Sequence, residues 1–191
     1  MEHTQPAGLS GRLDALGENP SLDRCVRTLD GLTDRALAPD GVQQVLASVR
    51  AASDTPLHPA LVHFPIGGAF SAAVVDAVGM GAAAGTLSAF TALTAVPTVV
   101  AGLADYSGID DRPAKRLAAA HFAAAATGTS LVVASLTARL AGASGLARLL
   151  LWGGCAAYGA AGMLGGHLVY GGRPEEDADE FGVEDRESWS E

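Results

Sequence analysis

The sequence predicts an all-α membrane fold, a bundle of four transmembrane helices, and three observations lead there. The first is composition: of 191 residues, 49% are hydrophobic, only 17% are charged, and glycine occurs 24 times. Such a chain is too apolar for a disordered protein and too poor in cysteine for a disulfide-stapled one. The second is the placement of the net charge of −9. Residues 1–58 carry −3, residues 59–170 carry +1, and residues 171–191 carry −7. The third is that the nearly neutral middle divides into four apolar runs, 61–84, 86–104, 117–138 and 146–169. Each meets the roughly 20 residues needed to cross a bilayer as a helix. Runs of this length without period-two alternation exclude a barrel. The acidic balance excludes nucleic acid as a partner, since nothing would neutralise a row of phosphates. The lipid bilayer is the expected partner.

Three units follow: an N-terminal helical segment, 1–56; a four-span domain, 57–170; and an acidic tail, 171–191. In the first, Asn19-Pro20 and Pro39-Asp40-Gly41 separate short helices. Leu22, Val26, Leu29, Leu32 and Leu37 recur at near-helical spacing, opposite a face of Asp23, Arg24, Arg27, Asp30 and Asp34. That polar face lacks the lysines of an interfacial anchor, so capping of the bundle or self-association is favoured over lipid binding. The first 50 residues hold no apolar core of a cleaved signal, and the first span is expected to direct its own insertion.

In the first span Pro59 and Pro65 set the approach, and Asp76 falls on one side with Ala69, Ala72, Ala73, Gly79 and Ala83, facing protein. Pro97 interrupts the second span, which ends at Asp105 and Tyr106. The third begins at Arg116 and His121, and the fourth carries a stripe of Ala156, Gly159, Gly162 and Gly166 before His167 and Tyr170. The run from Glu175 to Glu180 is expected to be a solvated, disordered tail. Arg50, Arg112, Lys115, Arg116 and Arg173 lie on the side of both tails, against Arg139 and Arg148 on the other. The positive-inside rule then puts both termini in the cytoplasm, in the inner membrane of the cell. Cys25 and Cys155 would lie too far apart, in too reducing a setting, to form a disulfide.

An up-down-up-down bundle delivers His58, His63, Asp105, Arg116, His121, His167 and Tyr170 to one end, and ionisable groups at membrane depth call for an explanation. Three readings are open. Imidazoles can ligate a haem iron or a metal ion, with His63, His121 and His167 as cofactor ligands and His58 and Asp105 as metal ligands or their supports. Ala118, Ala125 and Gly128 would leave room for a flat macrocycle beside His121. A quinone-like ligand or a proton relay is the second reading. In the third, the histidines only pack and hydrogen-bond, and Asp76, Arg116 and Tyr170 are structural polar groups. No hydrolase pair, serine elbow or phosphate loop is present, so hydrolase and nucleotide-driven chemistry have no support.

The stretch Pro56-Leu57-His58-Pro59-Ala60-Leu61-Val62-His63-Phe64-Pro65-Ile66-Gly67, with Asp76 after it, resembles the opening signature of a bacterial multi-pass membrane family, the domain of unknown function 2231. Pro97 with Ala101-Gly102-Leu103-Ala104-Asp105-Tyr106, the stretch Arg116 to His121, and Gly165-Gly166-His167-Leu168-Val169-Tyr170 resemble its later helix ends. The resemblance implies a four-span domain that is sometimes joined to, or encoded near, Rieske-type iron–sulfur domains. It therefore implies redox-associated work, with a separate iron–sulfur protein as partner. Ala125 stands where an asparagine is expected. A b-type haem or metal-binding electron-transfer bundle is the expectation, and a non-catalytic structural or interaction protein, forming homo-oligomers in one version, is its alternative.

Overall fold

The structure is a computed structural model and describes residues 8–52 and 57–171. The acidic run at 175–180 and Arg173 lie outside the described residues. Among the described residues eight helices follow in order: α1 (Leu9–Gly17), α2 (Asp23–Leu37), α3 (Asp40–Ala52), α4 (Leu57–Leu61), α5 (His63–Ala77), α6 (Gly81–Tyr106), α7 (Arg112–Leu140) and α8 (Ser144–Tyr170), with a 3-10 turn at Pro20–Leu22. Among the described residues there is no strand.

Among the described residues four helical stretches are long and apolar enough to cross a membrane: Leu57–Ala77, Gly81–Tyr106, Arg112–Leu140 and Ser144–Tyr170. The first combines α4 and α5, which part at Val62. Pro65 has no N–H for the carbonyl of Leu61, and the Thr98 hydroxyl of α6 donates to that carbonyl at 3.4 Å. A membrane helix tolerates proline when a neighbouring side chain re-satisfies the freed group in this way.

One boundary differs from the sequence expectation. The first apolar run was expected to continue to residue 84, but α5 ends at Ala77 and Gly81 to Ala84 begin α6. The cause is Gly79, whose φ of 84° is left-handed. Met80 N–H donates to the Val75 carbonyl and Gly79 N–H to that of Asp76, the paired bonds of a Schellman ending. The turn from α7 to α8 repeats this at Gly142, φ 80°, with Ala143 N–H on Ala138 and Gly142 N–H on Arg139.

These two turns belong to a larger repetition. The spacing of 63 residues that separates Gly79 from Gly142 also separates His58 from His121 and Gly102 from Gly165. Burial follows it: Ala69, Ala72, Ala84, Ser88 and Thr98 are buried, and so are Val132, Ser135, Ala147, Leu151 and Ala161, their counterparts. The first hairpin (α4–α5 with α6) and the second (α7 with α8) meet through α6 on α7 and α5 on α8, the exchange that a two-fold relation along the bundle requires. The halves are parallel, not inverted.

The core is made of small residues with a few large plugs, Ala69, Ala72 and Ala73 packing with Val132, Leu151, Cys155 and Tyr158. Close backbone approach supplies attraction where lipid removes the hydrophobic drive. Gly128 is part of this packing: a Cβ there would lie 3.0 Å from the Tyr158 ring. It serves helix contact and leaves no space for a macrocycle. The small-residue stripe of α8 faces outward at Ala156, Gly159 and Gly162, which are exposed, and the buried face is Ala147, Leu151, Gly154, Cys155, Tyr158 and Ala161. Both cysteines are free.

The N-terminal helices cap one end of the bundle. Val26 and Leu29 of α2 pack with Leu103, Tyr106, Ala118 and Ala119. Ion pairs ring this apolar contact. Arg116 donates to Asp23 through Nε at 2.8 Å and to the Gly17 carbonyl through Nη1 at 3.3 Å. Arg112 lies 3.4 Å from Asp23, and Lys115 3.6 Å from Asp30. The Tyr106 hydroxyl donates to Asp30 at 2.8 Å. The Arg116 guanidinium bonded to Asp23 holds its carboxyl below the ordinary aspartate range. Of the two favoured roles for this segment, capping is what the fold displays.

Candidate functional site

Two of the five histidines meet. His58 of α4 and His121 of α7, equivalent positions in the two hairpins, have ring centroids 5.9 Å apart and planes at 88°. Their surroundings match as well. His58 Nδ1 lies 3.0 Å from the carbonyl of Thr98 and His121 Nδ1 lies 2.8 Å from that of Ala161, each partner 40 residues downstream. A carbonyl only accepts, so each Nδ1 carries the proton and each Nε2 is left as the ring's lone-pair nitrogen. A backbone carbonyl on one ring nitrogen is a common means of orienting an imidazole whose other nitrogen binds a metal.

Glycine makes room for both rings. A Cβ on Gly102 would stand 2.9 Å from His58, and one on Gly165 would stand 3.0 Å from His121. Either contact is closer than real Cβ atoms comfortably allow, so any larger residue would push the imidazole aside. Each half of the bundle thus contributes one ring, one carbonyl and one glycine.

His63, one turn past His58, is exposed and its Nδ1 sits 3.3 Å from the Ala60 carbonyl in its own helical turn. His167 Nε2 pairs with Asp14 of α1 at 2.7 Å, so it fastens the cap. Asp105 and Tyr170 are exposed near the ends of α6 and α8. Arg116 is a cap residue. Ala118 is buried in the cluster that includes Val26 and Leu29 of α2. Among the described residues no three His, Cys, Asp or Glu side chains gather closely enough to hold a metal ion. Neither His58 nor Asp105 belongs to such a group among the described residues.

The far end holds what sequence reasoning missed. Asp76 is 3% exposed and accepts from Arg139 Nη2 at 2.7 Å and Arg148 Nε at 2.8 Å, while Arg148 Nη2 donates to the Asp76 carbonyl at 2.9 Å. Asp76 and Arg139 are again equivalent positions, 63 residues apart. The arginines entered the sequence reading only as flanking charge. An unpaired acid among alanines was the available signal that a cation had to reach it.

These features define a class, a four-span membrane bundle built from two parallel hairpins, with a histidine pair at the capped end and a buried ion cluster at the other. The chain belongs to the DUF2231 family, described as predicted membrane protein, whose profile matches residues 54–179. The match includes both histidines and all three residues of the ion cluster but not α1 to α3. Comparisons with curated proteins and with solved structures found no match.

Proposed function

We propose that the protein is a membrane electron-transfer component in which His58 and His121 supply two imidazole ligands to one redox-active metal ion. The observation that carries this reading is the pairing itself: two neutral imidazoles at equivalent positions, each fixed through Nδ1 to a backbone carbonyl. The two ring centroids are 5.9 Å apart, a separation at which His58 and His121 would hold one metal ion between them. Such a metal, when bound, would supply one-electron chemistry, with His58 and His121 as the residues that would hold it. The carbonyls of Thr98 and Ala161 keep the rings in one tautomer and orientation, Gly102 and Gly165 give them space, and the cap of α1 and α2 limits water at that end.

In this reading the electron partner is a separate iron–sulfur protein, the chain sits in the inner membrane with both termini cytoplasmic, and the cap (1–56), bundle (57–170) and acidic tail (171–191) are distinct units. Arg112, Lys115 and Arg116 at the capped end favour that orientation. The competing reading, a non-catalytic structural or interaction protein that self-associates, draws on the protein acceptor that His58, His121 and His167 each already have. An absorbance spectrum and metal analysis of the full chain purified in mild detergent separate the two. One stoichiometric redox-active metal per chain is expected; a colourless, metal-free protein supports the structural reading.

A further inference from the structure

At the end of the bundle away from the histidines, one carboxylate serves two guanidiniums, so the Asp76, Arg139 and Arg148 cluster carries one surplus positive charge. Arg139 is 14% exposed, and its Nε is buried without a hydrogen-bond partner among the described residues. The same side chain lines a groove of about 510 Å³ between α6 and α7. The other lining residues are Gly81, Ala82, Gly85, Thr86, Leu136 and Leu140, so five of the seven offer no polar side-chain atom. Glycine keeps the groove open: a Cβ at Gly81 would lie 3.0 Å from Arg139 Nη1, and one at Gly85 would lie 3.4 Å from its Cδ. Gly81 is the first residue of α6 and Leu140 the last of α7, which sets the groove at the level where a membrane span meets the headgroups.

We propose that this groove binds an anionic phospholipid, its headgroup phosphate against Arg139 and the upper part of one acyl chain along Ala82, Gly85 and Leu136. Charge complementarity selects the occupant. A surplus guanidinium charge at a span end attracts an anionic headgroup, and an apolar trough leading away from it suits a hydrocarbon chain that a free phosphate lacks. The site is independent of the histidine pair, at the opposite end of the bundle.

Native mass spectrometry of the full chain in mild detergent tests this, with phosphatidylglycerol, phosphatidylcholine and inorganic phosphate titrated separately. One copy of phosphatidylglycerol should be retained, about fivefold more strongly than phosphatidylcholine, as one added charge contact implies. Inorganic phosphate should not displace it. Arg139→Gln removes the surplus charge while Arg148 stays on Asp76, and should weaken phosphatidylglycerol retention about fivefold. Ala82→Phe fills the groove without touching an ion pair and should weaken it as much at an unchanged thermal midpoint; it decides the matter alone if Arg139→Gln fails to fold. Equal retention of the two lipids, displacement by inorganic phosphate, or retention at the wild-type level in either folded variant overturns the proposal.

Discussion

The two ends of the bundle are made by the same pair of hairpins and use their equivalent positions in opposite ways. At the capped end the equivalent residues are alike, His58 and His121, and both rings turn one nitrogen to a backbone carbonyl. At the far end they are unlike, Asp76 and Arg139, and they bond directly at 2.7 Å. Opposite charges across a two-fold relation satisfy each other and lock the hairpins together. Identical neutral imidazoles have no such mutual bond, and a group placed between them would be recognised equally by both halves. The contrast separates an ion-paired clamp from a pair of rings each held by a backbone carbonyl.

The sharpest way to break the comparison is to remove one ring. His121→Ala or His58→Ala should abolish the metal-centre signal completely while leaving the helix content by circular dichroism near wild type. Removing the acid at the other end should do the reverse. Asp76→Ala leaves Arg139, 14% exposed, with a buried unpaired charge, and should destabilise the bundle by about 3–5 kcal/mol in thermal unfolding in detergent, with the metal centre retained in the folded fraction.

Smaller effects sharpen the same contrast. Gly102→Ala presses a methyl group to within 2.9 Å of His58 and should cost about 1–3 kcal/mol as overpacking, along with a shifted spectrum of the metal centre. Arg148 is 52% exposed, so Arg148→Ala should cost at most about 1 kcal/mol, well short of Asp76→Ala. The cap offers a pH test. Its Asp23 carboxyl is held below the ordinary aspartate value of 3.8 by Arg116. A depressed acid contributes stability above its unfolded pKa and loses it as pH falls through the folded one. Hydrogen exchange of α2 should therefore accelerate as the pH drops below that value, and Asp23→Asn should already be loosened at neutral pH and lack that acid step.

Much of the fold was legible because membrane spans announce themselves by length and apolarity. The four runs, the amphipathic α2 with Val26 and Leu29 inward, and the gathering of polar groups at one end all follow from period and composition. What stayed hidden depends on local rotation and on long-range pairing. His58 and His63 stand in one motif, and only the break at Val62 and Pro65 turns His58 toward Thr98 and leaves His63 exposed. His167 was legible as an end-of-helix imidazole, but its acid, Asp14, lies 153 residues away. The two-fold relation leaves few identical residues at its spacing of 63, because small residues exchange freely wherever a helix face needs only to be narrow. Asp76 was recognisable as an acid facing protein, whereas its partners sat in what composition could only count as loop-flanking charge.

The central claim is that His58 and His121, and not His63 or His167, hold a redox centre. Reduced-minus-oxidised absorbance spectra of the four single alanine variants test it directly, in the full chain purified in mild detergent. The account predicts a difference spectrum in wild type, His63→Ala and His167→Ala, and none in His58→Ala or His121→Ala. A wild-type protein with no difference spectrum, or one that survives the loss of His58 or His121, contradicts it.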